Sequence, residues 1–153
     1  MIFHASIPAA DTRHVAQVIA ELWGGVSYVF PPFPGSYIAL ADDATGTEIE
    51  VCPLTQENVI GPKEVATRRN AAATGHSTSH LAISTALSVE AVLAIARREG
   101  WHAMLCDRGG CFHVIEFWVE NRFLLEVLTP EMQREYLDFM TPANWRKTFG
   151  AAA

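Results

Sequence analysis

The feature that most constrains this chain is an internal repeat. A shift of 76 positions carries His4, in Ile2-Phe3-His4-Ala5-Ser6-Ile7, onto His80, in Thr78-Ser79-His80-Leu81-Ala82-Ile83. The same shift carries Glu50, in Thr47-Glu48-Ile49-Glu50-Val51-Cys52-Pro53, onto Glu126, in Leu124-Leu125-Glu126-Val127-Leu128-Thr129-Pro130. It also lays Val92, Ile95 and Ala96 on Ala16, Ile19 and Ala20, and Gly100 on Gly24, with no gap anywhere. Each half therefore begins with an imidazole and ends with a carboxylate, which reads as a duplication.

Both halves spell the same element order. Residues 2 to 9 alternate as a strand, with Ile2, His4 and Ser6 on one face and Phe3, Ala5 and Ile7 on the other. Asp11 or Thr12 caps a helix whose Val15, Ile19 and Leu22 recur at helical spacing, and Gly24-Gly25 stops it. Strands follow over 26–30, 36–41 and 47–52, separated by the Pro31-Pro32-Phe33-Pro34-Gly35 turn and the turn at 42–46. The second half gives a strand over 78–84, a helix opened by Ser88, and strands over 102–106, 112–119 and 123–128. The expected fold is α+β: two βαβββ modules in tandem forming a half-open β-barrel with helices on the outer face. The chain is long enough for one domain. Module one spans 1–52, a linker 53–77 with a helical turn near Lys63 to Arg69, module two 78–128, and a helical tail 129–153. A linker this long is expected to lid a site or wrap a partner subunit. The tail should be helical from Glu131 to Met140, with Trp145 and Phe149 packing on the body or a partner.

Strand alternation places Glu48, Glu50 and Cys52 on one face and Ile49 and Val51 on the other; Leu124, Glu126 and Leu128 oppose Leu125 and Val127 in the same way. With helices over the Ile49/Val51 and Leu125/Val127 side, His4, Glu50, His80 and Glu126 project from the opposite, concave side. Two carboxylates and two imidazoles in one cavity repel or lose solvation unless a cation pairs them. Two nitrogen and two oxygen ligands suit Ni²⁺, Co²⁺, Zn²⁺, Mn²⁺ or Fe²⁺, and an octahedral ion keeps two positions for a substrate's oxygens.

The twofold βαβββ order with His4, Glu50, His80 and Glu126 on the first and last strands of each module resembles the vicinal oxygen chelate superfamily, and the ligand set is most similar to bacterial-type glyoxalase I. The resemblance covers residues 2 to 128 as a topology and four positions. It implies a metal-dependent lyase or isomerase in which the cation stabilises an enediolate-type intermediate on a small oxygenated substrate. It implies a proton-shuttling glutamate at the metal, Glu126 first and Glu50 second, and a homodimer that completes the site. In the first helix, where glyoxalase I enzymes carry a Phe-Tyr pair, this chain reads Ala16-Gln17-Val18-Ile19-Ala20, so the resemblance speaks for the metal more than for glutathione. Two alternatives share the fold: a metal-free small-molecule binder or antibiotic-resistance protein, and an extradiol-type iron dioxygenase.

Other residues have plainer readings. Glu48 is a spare on the face of Glu50. His76 belongs to a loop, and His14 and His102 to the surface. His113 and Glu116 have opposite strand parity, so at most one faces the cavity. Arg13, Arg68, Arg69 and Arg108 could each hold a substrate anion, with nothing to choose among them. A net charge of −6 with scattered basic residues argues against nucleic acid. No apolar run is long enough to span a membrane. Cys52, Cys106 and Cys111 read as free thiols, and the start shows no secretory leader, so a cytoplasmic protein is expected.

Overall fold

A computed structural model describes residues 4–62 and 65–150. Ile2 and Phe3 of the expected first strand, and Lys63 of the expected helical turn, lie outside the described residues. Module one comprises β1 (His4–Ala9), α1 (Thr12–Trp23), β2 (Val26–Val29), β3 (Tyr37–Leu40) and β4 (Glu48–Pro53), in a sheet ordered β1-β4-β3-β2. A hairpin, β5 (Gln56–Ile60) with β6 (Val65–Arg69), follows. Module two comprises β7 (Leu81–Ser84), α2 (Val89–Glu99), β8 (Ala103–Asp107), β9 (His113–Val119) and β10 (Phe123–Leu128), in a sheet ordered β7-β10-β9-β8. The chain ends in α3 (Pro130–Phe139) and α4 (Pro142–Phe149).

The two helices start and stop for the same chemical reasons. The Asp11 carboxylate accepts from His14 N–H and the Ser88 hydroxyl from Ala91 N–H, each satisfying an orphan donor of the first turn. Gly24 (φ 68°) and Gly100 (φ 69°) end them in the left-handed conformation, where a Cβ would be strained. Gly25 is small for a different reason, since a Cβ there would lie 1.9 Å from the Leu40 carbonyl oxygen.

The repeat survives in the strand register. β1 pairs with β4 in parallel as Ala5↔Ile49, Ser6↔Glu50 and Ile7↔Val51; β7 pairs with β10 as Leu81↔Leu125, Ala82↔Glu126 and Ile83↔Val127. These are the same pairs displaced by 76. The third strand breaks the displacement. Ile38 stands opposite Glu50, whereas Glu116, not Val114, stands opposite Glu126. The gap-free alignment is therefore corrected by two residues on β9. The cause is the turns: prolines 31, 32 and 34 supply no N–H to extend the β2–β3 ladder beyond Val29↔Tyr37, while β8–β9 runs two rungs further, to Asp107↔His113. The β9–β10 turn compensates by being tight, with Glu120 (φ 50°) and Asn121 (φ 56°) both left-handed.

One face of each sheet builds the core. Ile7, Ile49, Val51, Ile83, Ile115, Phe117, Leu125 and Val127 pack with Val15, Ile19 and Leu22 of α1 and Val92 and Ile95 of α2 in one cluster. Each such side chain, fully buried, is worth about 1.5–3 kcal/mol. α1 also meets module two. The Thr85 hydroxyl donates to the Leu22 carbonyl, His14 pairs with Glu99, Arg98 pairs with Glu21, and the Glu120 carboxylate accepts from the N–H groups of Ala10 and Asp11.

Two segments differ from expectation. Val65–Arg69 is a strand, not a helical turn, because it pairs along its length with Gln56–Ile60. The strand expected over 78–84 begins at Leu81, leaving His80 one residue ahead of it. Met132 of α3 is buried in the core with Val114 and Leu128. The aromatic rings of Phe112, Tyr136, Phe139, Trp145 and Phe149 stack in sequence beyond it, the last two on α4. No helix among the described residues is long and apolar enough to cross a membrane.

Candidate functional site

The faces away from the core carry the chemistry. On sheet one, β1 contributes His4 and Ser6 and β4 contributes Glu48 and Glu50, all on one side by strand parity. The Ser6 hydroxyl donates to Glu50 Oε2 at 2.6 Å, which orients that carboxylate. His4 lies opposite Glu48, with Nδ1 3.7 Å from Glu48 Oε1, and its side chain is 55 % exposed. The spare glutamate is thus the one nearest the imidazole.

On sheet two the partner of Glu126 is an arginine. Arg108 Nη2 donates to Glu126 Oε1 at 2.5 Å and to Glu116 Oε1 at 2.9 Å, bridging two carboxylates that face each other across adjacent strands. The hydrogen bond from Arg108 to Glu126, reinforced by Glu116, raises the guanidinium's pKa above its ordinary value. Burial opposes ionisation of Glu116, but the hydrogen bond and positive charge of Arg108 outweigh it and hold its carboxyl below the usual range. Burial and the neighbouring Glu116 charge push the Cys106 thiol up, so it stays protonated. His80 turns back on its own loop, with Nδ1 3.2 Å from the Thr78 carbonyl oxygen.

The structure therefore gathers Glu126 with Arg108 and Glu116, and Glu50 with Ser6, and leaves the four expected ligands in two groups. Among the described residues of one chain, no cluster of three or more His, Cys, Asp and Glu side chains is close enough to hold a metal ion. The modules do meet at a rim: His4, Glu48, Trp23, Leu81 and Ala82 line one cavity of about 150 Å³. Ala82 is the residue paired with Glu126.

Sequence reasoning passed over the Arg108–Glu116 pair. Parity left open which of His113 and Glu116 faces the cavity; the β9–β10 register puts Glu116 opposite Glu126, on a rung that depends on the longer β8–β9 ladder. His113, of opposite parity, is drawn to α3, where Glu135 accepts from both its N–H and its Nδ1 at 2.9 Å. His76 lies in a loop, as expected, and the three cysteines are free.

No protein-family model matches the sequence, and no curated protein matches it significantly. Solved structures do match. The fosfomycin resistance protein FosX of Listeria monocytogenes, solved with Mn(II) and sulfate, aligns over 91 % of this chain and 97 % of its own at 12 % identity and a TM-score of 0.56. FosX of Mesorhizobium loti aligns over 88 % and 95 % at 10 % identity and 0.53. The trypanothione-dependent glyoxalase I of Leishmania major aligns over 99 % of both chains at 14 % identity and 0.50. The tandem βαβββ modules, their shared register and these alignments agree: the chain has the fold of the vicinal oxygen chelate superfamily.

Proposed function

We propose that this chain is a divalent-metal-dependent enzyme of the glyoxalase type, a lyase or isomerase acting on a small oxygenated substrate, whose ligands His4, Glu50, His80 and Glu126 come together from two copies of the chain. The observation that carries this reading is the register. Ser6↔Glu50 and Ala82↔Glu126 are the same rung of two equivalent strand pairs, each preceded by a histidine two positions earlier in the chain, His4 within β1 and His80 one residue ahead of β7. Two such half-sites, facing one another across a twofold homodimer, give a two-His, two-Glu set. The metal bound in FosX of Listeria monocytogenes is consistent with that set on this fold.

The chain's own groups have distinct tasks in this scheme. Ser6 holds the Glu50 carboxylate in place. Glu126, with a side chain 14 % exposed, is the carboxylate that would take and return a proton on the substrate carbon. A cation held there would supply the charge that stabilises a developing oxyanion.

The test is complementation. Purified without chelator, the protein should hold about one Mn²⁺, Ni²⁺ or Zn²⁺ per chain by elemental analysis, and His4→Ala and His80→Ala should each abolish it. In a shared site, mixing the two variants leaves one intact site in each mixed dimer, so metal binding should partly return. No return would place the ligands within one chain. No metal in the native protein, and no affinity gained on adding one, would reject the enzyme reading.

One observation favours a second reading. Arg108 already neutralises Glu126 without an ion, as a metal-free binding or antibiotic-resistance protein of this fold requires.

A further inference from the structure

The hairpin β5–β6 stands over the acid-bearing face of sheet one and leaves a groove of about 200 Å³ beside Glu50. Ser6 and Cys52 form its floor, Phe33 one wall, and Gln56, Asn58 and Thr67 of the hairpin the other. The floor touches the candidate centre directly, since Ser6 is the residue bonded to Glu50.

The hairpin's two faces divide by chemistry. Asn58 pairs with Thr67 across the ladder, and Gln56 lies two residues along on the same side. Glu57 pairs with Arg68 on the opposite side, where the guanidinium donates to Glu57 Oε2 at 3.0 and 2.9 Å and Asn70 donates to Oε1. Those charges are spent on each other, away from the groove. The Cys52 thiol, also in the lining, is free. Arg69, opposite Gln56, shares the groove-side face but is exposed and does not line the groove. Gln56 Nε2 donates to the Pro34 carbonyl oxygen at 3.4 Å, which steadies its amide. The Asn58 amide and the Thr67 hydroxyl make no side-chain hydrogen bond among the described residues.

A groove with amide and hydroxyl donors and acceptors, an aromatic wall, Ile7 and Pro8 beside them, a carboxylate bonded to its floor serine and no cation among its described lining residues suits a neutral hydroxylated molecule and repels an anion. At roughly 30 Å³ per water, its volume corresponds to a ligand portion of about six or seven heavy atoms. We propose that this groove is the specificity subsite for the neutral, hydroxylated end of the substrate, so that the protein selects short hydroxyketones over carboxylates of the same size. The proposal rests on the metal-dependent reading for the chemistry at Glu50, but the binding does not require the metal.

Dihydroxyacetone and pyruvate, three-carbon ketones of equal size, separate the alternatives. In ¹⁵N-correlated spectra of the metal-free full chain, dihydroxyacetone should shift the side-chain amide signals of Gln56 and Asn58 in a saturable way, and pyruvate should not. Asn58→Leu and Thr67→Val, both at exposed hairpin positions, should each weaken dihydroxyacetone binding about three- to tenfold, the worth of one neutral hydrogen bond, while leaving metal uptake unchanged. Equal or tighter binding of pyruvate, or no amide shifts with dihydroxyacetone, overturns the subsite, whatever metal uptake shows. Saturable amide shifts in a protein that takes up no metal would uphold the subsite and reject the enzyme reading alone.

Discussion

Replacing Arg108 by alanine isolates the electrostatics of sheet two. The substitution removes two charge-assisted hydrogen bonds and leaves Glu116 and Glu126 facing each other across adjacent strands, with side chains only 22 % and 14 % exposed. Breaking a fully buried ion pair costs about 3–5 kcal/mol and an exposed one about 0–1 kcal/mol. Arg108, with its side chain 33 % exposed, falls between, so a loss of about 2 kcal/mol is expected at neutral pH, once solvent screening is allowed for. In a chain of this length that lowers the melting midpoint by about 4–8 °C. The pH dependence has a definite sign. Glu116 has a depressed pKa in the folded protein, so its contribution is present above the unfolded glutamate pKa of about 4.3 and is lost as pH falls below it. In Arg108→Ala the two carboxylates repel and one protonates early, so the deficit relative to the native protein should shrink as pH falls from 7.5 towards about 4. Urea unfolding at both pH values reads this directly. A deficit of the same size at pH 7.5 and 4, or one below about 0.5 kcal/mol at pH 7.5, would show that the bridge is not what offsets this pair. Adding Glu116→Gln to Arg108→Ala should recover part of the loss.

Other expectations follow from single contacts. Gly25→Ala forces a methyl against the Leu40 carbonyl and should cost at least about 1–3 kcal/mol, read as a lowered melting midpoint. Thr85→Val removes the bond to the Leu22 carbonyl, and the acceptor for Leu87 N–H, at a residue only 5 % exposed. It should cost about 1–3 kcal/mol in denaturant unfolding. Hydrogen bonding and charge from Glu135 raise the pKa of His113, so an NMR titration should place its midpoint above 6.5 and Glu135→Gln should return it towards that value. The stabilisation from this contact is present at acidic pH and is lost as pH rises through the raised midpoint.

The parts legible in the sequence are those where local chemistry and burial agree. The helices were readable because Asp11, Ser88, Gly24 and Gly100 are helix signals in themselves, and the core faces of β4 and β10 because Ile49/Val51 and Leu125/Val127 alternate with acids. The β5–β6 hairpin was not readable, since Gln56-Glu57-Asn58-Val59-Ile60 buries neither face fully and so shows no period-two apolar pattern. Four arginines looked equivalent because a salt bridge depends on ladder length: two extra rungs in β8–β9 bring Arg108 and Glu116 to Glu126, and no local pattern reports a rung count. His80 looked like a strand residue beside its partner glutamate, but the strand starts after it, and its ring bonds to the loop.

The duplication also shows where the two modules part company, and the difference follows from what comes after each last strand. Cys52 and Leu128 are equivalent by the repeat, each closing the acid-bearing face at the same end. After Leu128 the chain turns at Pro130 into α3, whose Met132 is buried with Leu128 and Val114 and whose Gln133 donates to the Leu128 carbonyl at 2.9 Å. That end is sealed by apolar packing. After Cys52 the chain runs into a polar hairpin that bridges the same position without filling it, leaving the groove at Ser6 and Cys52. One module has an open, uncharged approach to its glutamate, and the other a closed end with its glutamate bridged by Arg108. In the proposed dimer such half-sites would be unequal: the groove beside Ser6 would admit and orient the ligand, and Glu126 would exchange the proton. If the halves were equivalent in function, exchanging the roles of Glu50 and Glu126 would make no difference. The unlike covers predict that Glu50→Gln weakens ligand retention more than turnover, and Glu126→Gln the reverse.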